Sequence, residues 1–438
     1  MGSVDIVTLR KKVGASWRLF LLMCILMFRF AVGFSADRYA VATGNWTAGI
    51  WATTAGGVAG SAATPTAADV VFINSGVTVT INTAGATCAS LTFTAPTANN
   101  GITMASPGTL AVTGAITMNS PTAGVITSTL AVGNGTLSAA SIVIPGSATA
   151  GRFCTVSLST GTINVSGNIT FSGTTAAQRR FTFTGAGTLN IGGNFGSGGT
   201  LASVAGSTIN FNGTTAQTAG IYTTYNVLKS NNTAGVTLLG NSTITTLTIG
   251  DQTPNSIFND DGWTITLGGG STLNLTNGTY NLGSATRAST WPAWGTRNIS
   301  TGTTVGYVSG IAQTVSATPT YSNLVLSGAG AKTITTMTVN GNFTSSGGAI
   351  TLTGNRTVTL GGNFNSASTF SSTTRMRVTL TGIGDQTISN SGGTTMGILT
   401  VNKASGSAIL GSNLTATTYT HTAGIFDANT FLLTSTTP

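Results

Sequence analysis

Charged residues are scarce in this sequence. They make up 6% of the 438 residues, and every acidic residue is Asp because the chain contains no Glu. Typical globular proteins have about 25% charged residues. The residues that build soluble helices are therefore rare, whereas Thr, Ser, Asn, Gly and Val dominate, which favours strands joined by tight turns. The 40% of hydrophobic residues are not typical of a disordered chain.

Histidine and cysteine are nearly absent. The only histidine is His421, and Cys24 lies in the N-terminal apolar segment, which leaves Cys88 and Cys154 for the rest of the chain. A metal site built from His or Cys is therefore not expected. Export would permit a disulfide between the two remaining cysteines, but we favour two separate buried thiols.

The net charge of +9 arises partly from residues 1–36, which hold five basic residues and one acidic residue. That segment has a basic start, an apolar stretch Leu19–Phe28 and small residues before Asp37, which predicts a secretory signal peptide. An uncleaved anchor is the alternative, although Arg29 interrupts an apolar run that is short for the roughly 20 residues of a membrane span. We therefore expect a secreted or cell-surface protein with no membrane span after signal cleavage.

Basic residues do not cluster in the remaining chain beyond the pair Arg179 and Arg180. Binding of nucleic acid needs a concentrated basic surface. A nucleic-acid partner is therefore not expected.

A short phrase recurs along the chain. Gly341-Asn342-Phe343 is followed by Gly362-Asn363-Phe364, and "INVSGNI" is followed by "LNIGGNF". The repeat distance of roughly 21 to 26 residues is typical of one coil of a solenoid. The intervening runs alternate apolar and polar residues, and Gly and Asn suit left-handed turns between them. The Gly-Asn phrase therefore predicts the corner of each coil, and the alternating runs predict the strands that form its sides. Stacked coils would bury the apolar side chains of these strands in a core.

The sequence predicts an all-β, elongated β-solenoid, with a right-handed parallel β-helix as the favoured form. About 400 residues would form roughly 15–19 coils. The N-terminal cap and first strands are assigned to 37–95, where Trp46 and Trp51 either pack into the cap or form a platform for sugars. The solenoid repeats are assigned to 96–438. A string of antiparallel β-sandwiches is the alternative fold.

A longer repeat begins near Gln217, Gln313 and Gln386. The interval from Gln217 to Gln313 exceeds the interval from Gln313 to Gln386 by about one coil. We therefore expect an extra loop or rung around 251–310. Residues 289–297 lack the alternation and are expected to leave the rod, so that their deletion is tolerated.

Candidate chemistry is limited to one pair of carboxylates. Parallel β-helices also host enzymes that cleave polysaccharides, which use clustered carboxylates. Only Asp260 and Asp261 are adjacent, in a predicted turn. We favour a solvated turn, with a calcium-binding loop and a catalytic pair as alternatives. No cofactor is expected. Five aromatic residues are the candidate ligand contacts: Tyr222, Tyr225, Trp263, Trp291 and Trp294.

Thr-x-Thr pairs raise the hypothesis of ice binding. They occur at positions 78 and 80, 246 and 248, and 357 and 359. Thr is a common outward residue on any strand, and the variable coil length argues against a regular lattice. Ice binding is therefore the lesser alternative.

The chain resembles a known family at two places. The "GNWTAGIWATTAGG…PTAADVVFINSGVTVTI" opening and the "QT…YNVLKSNNTAGVTL…LTI" units are similar to bacterial secreted β-strand-repeat, adhesin-like surface proteins, many of which are exported by the type IX route. The resemblance implies a structural or adhesive role in contact with glycans or cell-surface proteins, without catalysis. The main alternative is a polysaccharide lyase or hydrolase that uses Asp260 and Asp261.

Overall fold

The computed structural model describes residues 35–370 and 376–437. Nearly all of the predicted signal peptide lies outside these residues. Regular structure in the described chain consists of 40 strands and one short 3-10 turn, Ala176–Gln178. The composition, which is poor in helix formers and rich in Thr and Val, accounts for this all-β content.

The strands are short and follow one another at brief intervals. The first are β1 Asp37–Ala40, β2 Gly44–Asn45, β3 Trp51–Ala52, β4 Val70–Ile73, β5 Thr78–Ile81, β6 Ala86–Cys88, β7 Ser90–Phe93, β8 Asn100–Met104, β9 Thr109–Thr117, β10 Ile126–Val132, β11 Thr136–Gly146 and β12 Arg152–Leu158. The next are β13 Thr162–Val165, β14 Ile169–Gly173, β15 Arg179–Phe183, β16 Thr188–Ile191, β17 Thr200–Ala202, β18 Thr208–Phe211, β19 Gln217–Ala219, β20 Thr224–Ser230, β21 Val236–Leu238, β22 Ser242–Ile249, β23 Ser256–Asn259, β24 Ile265–Leu275, β25 Gly278–Leu282, β26 Thr296–Ile299 and β27 Thr304–Tyr307. The last are β28 Gln313–Thr314, β29 Asn323–Leu326, β30 Lys332–Ile334, β31 Met337–Val339, β32 Phe343–Ser345, β33 Ile350–Leu352, β34 Arg356–Leu360, β35 Phe364–Ser366, β36 Met376–Leu380, β37 Gln386–Asn390, β38 Met396–Leu410, β39 Leu414–Asp427 and β40 Leu433–Ser435.

Parallel pairing between coils builds the fold. Two sheets of 15 strands, one of 7 and one of 3 run along the molecule, and neighbours in a sheet lie one coil apart in sequence, as in β13–β16–β18. Only β1 and β3 pair antiparallel among the described strands. The result is a β-solenoid of about 16 turns. This confirms the predicted β-solenoid with parallel sheets and excludes a string of antiparallel sandwiches.

The core is the stack of inward side chains from all coils. Ile350 and Val358 are completely buried, and the Thr residues beside them face outward, as the alternation predicts. Phe343 and Phe364, from the repeated phrase, stack with ring centroids 5.2 Å apart. Each such side chain contributes on the order of 1.5–3 kcal/mol through burial.

The Gly-Asn phrase forms a corner, but by a different mechanism from the one expected. The Oδ1 of Asn342 accepts the backbone N–H of Asn363 (2.8 Å), and the Oδ1 of Asn363 accepts that of Thr387 (2.8 Å). Gly362 has no positive φ; instead, a Cβ there would lie 2.4 Å from the carbonyl carbon of Gly341. Glycine is therefore required by the close approach of successive coils, not by a left-handed turn.

The longer repeat corresponds to a buried glutamine. Gln217, Gln313 and Gln386 are all buried. The Nε2 of Gln386 donates to the carbonyls of Leu360 (3.0 Å) and Gly362 (2.5 Å) in the preceding coil, and its Oε1 accepts from the Nζ of Lys403 (2.6 Å). The glutamine therefore satisfies backbone groups that the corner would otherwise leave unpaired.

Residues 283–295 form an irregular connection between β25 and β26, but they do not leave the rod. Trp291 and Trp294 are buried, and the Trp291 ring packs 5.9 Å from Tyr280 and 6.3 Å from Tyr321. The expectation of a dispensable excursion at 289–297 is therefore wrong, because this segment supplies core side chains.

Near the N-terminus, Trp46 and Trp51 pack inward. Their rings lie 4.9 Å apart in an edge-to-face contact, and the Nε1 of Trp51 donates to the carbonyl of Trp46 (2.8 Å). Both side chains are buried, so they form no platform for sugars. That they shield the first coil stays a prediction.

Cys88 and Cys154 are free and buried. Burial raises the pKa of each thiol to about 12. The interpretation as two separate buried thiols is confirmed.

Candidate functional site

The aromatic residues that the sequence offers as ligand contacts are mostly core residues. Tyr222, Tyr225, Trp291 and Trp294 are all buried. The Tyr222 hydroxyl donates to the carbonyl of Gly196 (2.5 Å) and that of Tyr225 to Gly220 (2.6 Å). All four rings fill the interior, and the two tyrosine hydroxyls pair with backbone, which argues against contact with a ligand. The Nε1 atoms of Trp291 and Trp294 are buried without a hydrogen-bond partner among the described residues.

Asp260 faces the interior. The residue is 1% exposed, and its Oδ1 accepts the N–H groups of Gly262 (2.9 Å) and Gly283 (2.8 Å), while its Oδ2 accepts the Ser289 hydroxyl (2.7 Å). Burial raises the pKa of Asp260 to about 6, and the three hydrogen bonds oppose this rise. The interpretation as a solvated turn is therefore wrong for Asp260, which ties the turn to the next coil.

Asp261 faces outward at the turn, where it adopts a positive φ of 53°. Its carboxylate pairs with Arg287, whose Nε also donates to the Asp261 carbonyl (2.8 Å) and whose guanidinium lies 4.2 Å from the ring centre of Trp263. The carboxylates of Asp260 and Asp261 thus have separate partners, and within residues 35–370 and 376–437 no group of three His, Cys, Asp or Glu side chains could hold a metal ion.

The most regular outward feature is a pair of parallel rows on one sheet. Strands β9, β11, β13, β16, β18, β20, β22, β24 and β26 align in register, so that equivalent residues stack from coil to coil. We call the first the Thr row; it consists of Thr109, Thr136, Thr162, Thr188, Thr208, Val227, Thr246, Thr272 and Thr296. We call the second the Asn row; it consists of Ala111, Ser138, Asn164, Asn190, Asn210, Lys229, Thr248, Asn274 and Asn298.

Side-chain amides of the Asn row bond to one another along the rod. The Nδ2 of Asn190 donates to the Oδ1 of Asn164 (2.8 Å), and that of Asn210 donates to Asn190 (2.9 Å). Farther along, Asn298 donates to Asn274 (2.8 Å). Each bond fixes the orientation of an amide. Asn210 and Thr248 are buried, so the ordered donors and acceptors of the row that reach the surface lie on either side of these two residues.

A groove of about 580 Å³ lies beside the first part of this row. It crosses five successive coils, and its lining consists of Ala, Gly, Ser, Thr, Val and Asn residues, none of them charged. The lining includes Ser138, Asn164, Ser166 and Asn190. The groove can offer hydrogen bonds to an uncharged, extended polar ligand.

A second row of threonines lies on another sheet, where Thr338, Thr359, Thr379, Thr400 and Thr420 align in register. Successive coils differ in length, since the step from Thr162 to Thr188 is longer than the step from Thr188 to Thr208, yet all three residues align. The difference is absorbed between the strands, so variable coil length does not disrupt the rows. Variable coil length alone is therefore no argument against ordered rows, and ice binding stays a hypothesis.

Sequence reasoning missed the Thr and Asn rows, although a signal was present. The tripeptide Thr-x-Asn occurs in five strands of the sheet, beginning at Thr162, Thr188, Thr208, Thr272 and Thr296. The alignment of these tripeptides needs the strand register, which depends on where each coil turns.

Comparison with protein-family models, with curated proteins and with solved structures finds no match to this chain. In the part of the chain that the structure describes, no helix is long and apolar enough to cross a membrane.

Proposed function

We propose that this protein is a secreted structural or adhesive rod that contacts glycans or cell-surface proteins without catalysing a reaction. The observation that carries the proposal is the alignment of the Thr and Asn rows over nine strands. Repeated hydroxyl and amide groups suit a repeating polar ligand, because many weak contacts on one rod add through avidity.

The buried position of Asp260 supports a role in the fold over one in glycan cleavage. A general acid and a nucleophile or base must both face the substrate. Asp260 instead uses both carboxylate oxygens on Gly262, Gly283 and Ser289, and Asp261 pairs with Arg287. A polysaccharide lyase or hydrolase at this pair is therefore the weaker proposal.

The test is retention of the purified chain on a panel of insoluble or immobilised neutral and acidic polysaccharides. The double variant Thr162→Val and Thr188→Val removes two hydroxyls from the Thr row without changing side-chain shape. Thr92→Val with Thr117→Val is the matched control, because these residues also align in register on the same sheet but outside the row. We expect at least a threefold loss of retention for the first pair and no change for the control.

Release of reducing ends or unsaturated products from the same panel would contradict the proposal, provided that Asp261→Asn abolishes it. Failure of every polysaccharide and of whole cells to retain the chain would also contradict it.

Ice binding is a second candidate because of the row Thr338, Thr359, Thr379, Thr400 and Thr420. Strands about 4.8 Å apart would hold its hydroxyls at a regular interval. The measurement is ice-crystal growth in the presence of the chain. Slowed growth that Thr379→Val weakens would favour this candidate, and unchanged growth would exclude it.

A further inference from the structure

The groove beside the Asn row is built from equivalent positions of successive coils. Residues 111–113, 138–140 and 164–166 line its first part, and Asn190 and residues 212–214 continue it. In each of the first three sets the middle residue is buried and its two neighbours reach the surface, as expected for a strand. The groove therefore has an apolar floor and runs from coil to coil, parallel to the rod.

Several polar side chains that line the groove are free to bind a ligand. The hydroxyls of Ser138 and Ser166 and the amide of Asn212 form no hydrogen bond to the described residues. The Oδ1 of Asn164 accepts from Asn190 (2.8 Å), whereas the Nδ2 of Asn164 donates to no described residue. This bond fixes the Asn164 amide and leaves both of its N–H donors for a ligand. Groups that are already ordered lose less entropy when they bind.

The groove contains no charge that could neutralise an ionic ligand. None of its lining residues is charged. The first charged residue of the Asn row is Lys229, two strands beyond Asn190, and its Nζ already pairs with Asp251 (2.6 Å). A carboxylate that left water for this groove would find no cation, and such a transfer is far more costly than that of a hydroxyl. The groove therefore favours a neutral ligand.

The spacing of the coils constrains the shape of that ligand. Neighbouring strands lie about 4.8 Å apart, so equivalent lining groups recur at this interval. A glucose unit in an extended β-linked chain, as in cellulose, advances by a similar distance. Successive sugars of one chain can therefore meet equivalent groups of successive coils. Small apolar residues such as Ala111 and Ala140 leave room for the C–H groups of the sugar rings.

We infer that the groove binds a single chain of a neutral, extended polysaccharide that lies parallel to the rod, with about one sugar per coil. The hydroxyls and amides of the lining bind the sugar hydroxyls, and the apolar floor packs against the rings. The choice of a polysaccharide rests on the proposed contact with glycans. The neutral charge and the extended shape of the ligand follow from the groove itself.

The test measures the affinity of the purified chain for three oligosaccharides of five sugars by calorimetry. Cellopentaose is neutral and extended, pentamannuronate is extended but carries a carboxylate on each sugar, and isomaltopentaose is neutral but flexible. Physiological ionic strength screens the net charge of the chain beyond about 8 Å. We expect cellopentaose to bind at least tenfold more tightly than either of the others.

The variant Ser166→Leu places a larger side chain in the groove at an exposed position. Ser172→Leu is the matched control, because Ser172 is also exposed, lies in the adjoining strand β14 and does not line the groove. We expect at least a tenfold loss of affinity for cellopentaose in Ser166→Leu and less than a twofold loss in Ser172→Leu, with unchanged circular dichroism for both.

A milder variant, Ser138→Ala with Ser166→Ala, removes two hydroxyls and adds no bulk, so it remains informative if the leucine disturbs the fold. It should lower the affinity for cellopentaose at least threefold. Undiminished affinity in this variant, or equal affinities in the two leucine variants, would overturn the site. Binding of pentamannuronate as tight as that of cellopentaose would overturn the choice of a neutral ligand.

Failure of this site is distinguishable from failure of the proposed function. Retention on a polysaccharide that Thr162→Val with Thr188→Val weakens and Ser166→Leu does not would leave the adhesive rod standing and overturn the groove as its site. Failure of every polysaccharide and of whole cells to retain the chain would overturn both. A dimer in sedimentation that Ser166→Leu dissociates would show that a second copy occupies the groove, which also overturns the inference.

Discussion

Asp260 illustrates how a single residue can serve the fold in a place where its sequence suggests chemistry. The adjacent Asp261 lies on the outside of the turn, whereas Asp260 points inward and accepts hydrogen bonds from Gly283 and Ser289 of the following segment. The sequence predicts a turn here, and a turn is present at 261–262. It could not predict which carboxylate is buried, because the partners lie 23 and 29 residues away.

The raised pKa of Asp260 predicts a pH dependence of stability. Between pH 3.8 and about pH 6, the native carboxyl, with a pKa of about 6, keeps a proton that the unfolded carboxyl, with a pKa of 3.8, has lost. The free energy of unfolding should therefore be greatest below pH 4 and fall as pH rises through 6, by on the order of 2–3 kcal/mol from this group. Urea midpoints measured at pH 4 and pH 7 test this.

Asp260→Asn is the control for that pH dependence. Asn keeps an oxygen for the N–H groups of Gly262 and Gly283, and its amide can donate to the Ser289 hydroxyl. The variant should show a clearly smaller fall between the two pH values than wild type. An equal fall in both proteins would assign the pH dependence to other groups.

The corner asparagines give a second prediction at this scale. The Asn363 side chain bonds to the N–H of Thr387, whereas that of Asn365, two positions later, faces outward with no hydrogen bond among the described residues. Asn363→Ala should therefore lower the free energy of unfolding by about 1 kcal/mol, and Asn365→Ala by less than about 0.5 kcal/mol. Chemical denaturation of the two variants in parallel tests this, and equal effects would show that the corner bond does not stabilise the coil.

At the scale of elements, strands and corners were predictable but their alignment was not. The alternation of Ile350 and Leu352 with Thr residues predicts the inward face, and both are buried. The Thr and Asn rows depend on register between coils of unequal length. A run of alternating residues fits several registers locally, and only the packing of the whole core selects one.

Changes in the irregular connection 283–295 test whether its buried tryptophans stabilise the core. Deletion of residues 289–297 removes Trp291, Trp294 and the start of β26, so it should disrupt neighbouring coils. Trp291→Ala alone should lower the free energy of unfolding by about 3–5 kcal/mol. The midpoint of urea unfolding, followed by circular dichroism, measures both changes.

Deletion of residues 53–61 is the matched control, because this segment has the same length and is almost entirely exposed. It should shift the midpoint far less than deletion of 289–297. Comparable shifts would show that the tryptophans contribute little and that 289–297 is an ordinary surface loop.

For the whole molecule, the repeat period in the sequence was sufficient to predict the architecture. Solenoids are assembled from contacts between neighbouring coils, so a recurring phrase at the period of one coil specifies the stacking. The surface was harder to predict. Candidate aromatic contacts such as Tyr225 lie in the core, and the candidate ligand contacts are instead the Thr and Asn rows. Composition reports which residues are present, but burial decides which of them a partner can touch.

If the Thr and Asn rows bind a ligand, a longer ligand should make more contacts along the rod. The most direct test is the affinity of the purified chain for neutral and acidic oligosaccharides of increasing length, from about 2 to about 20 sugars, measured by calorimetry. The proposed adhesive rod predicts an affinity that keeps rising with length, because longer ligands engage more coils. An affinity that stops rising at two or three sugars, or no binding at any length, would contradict it.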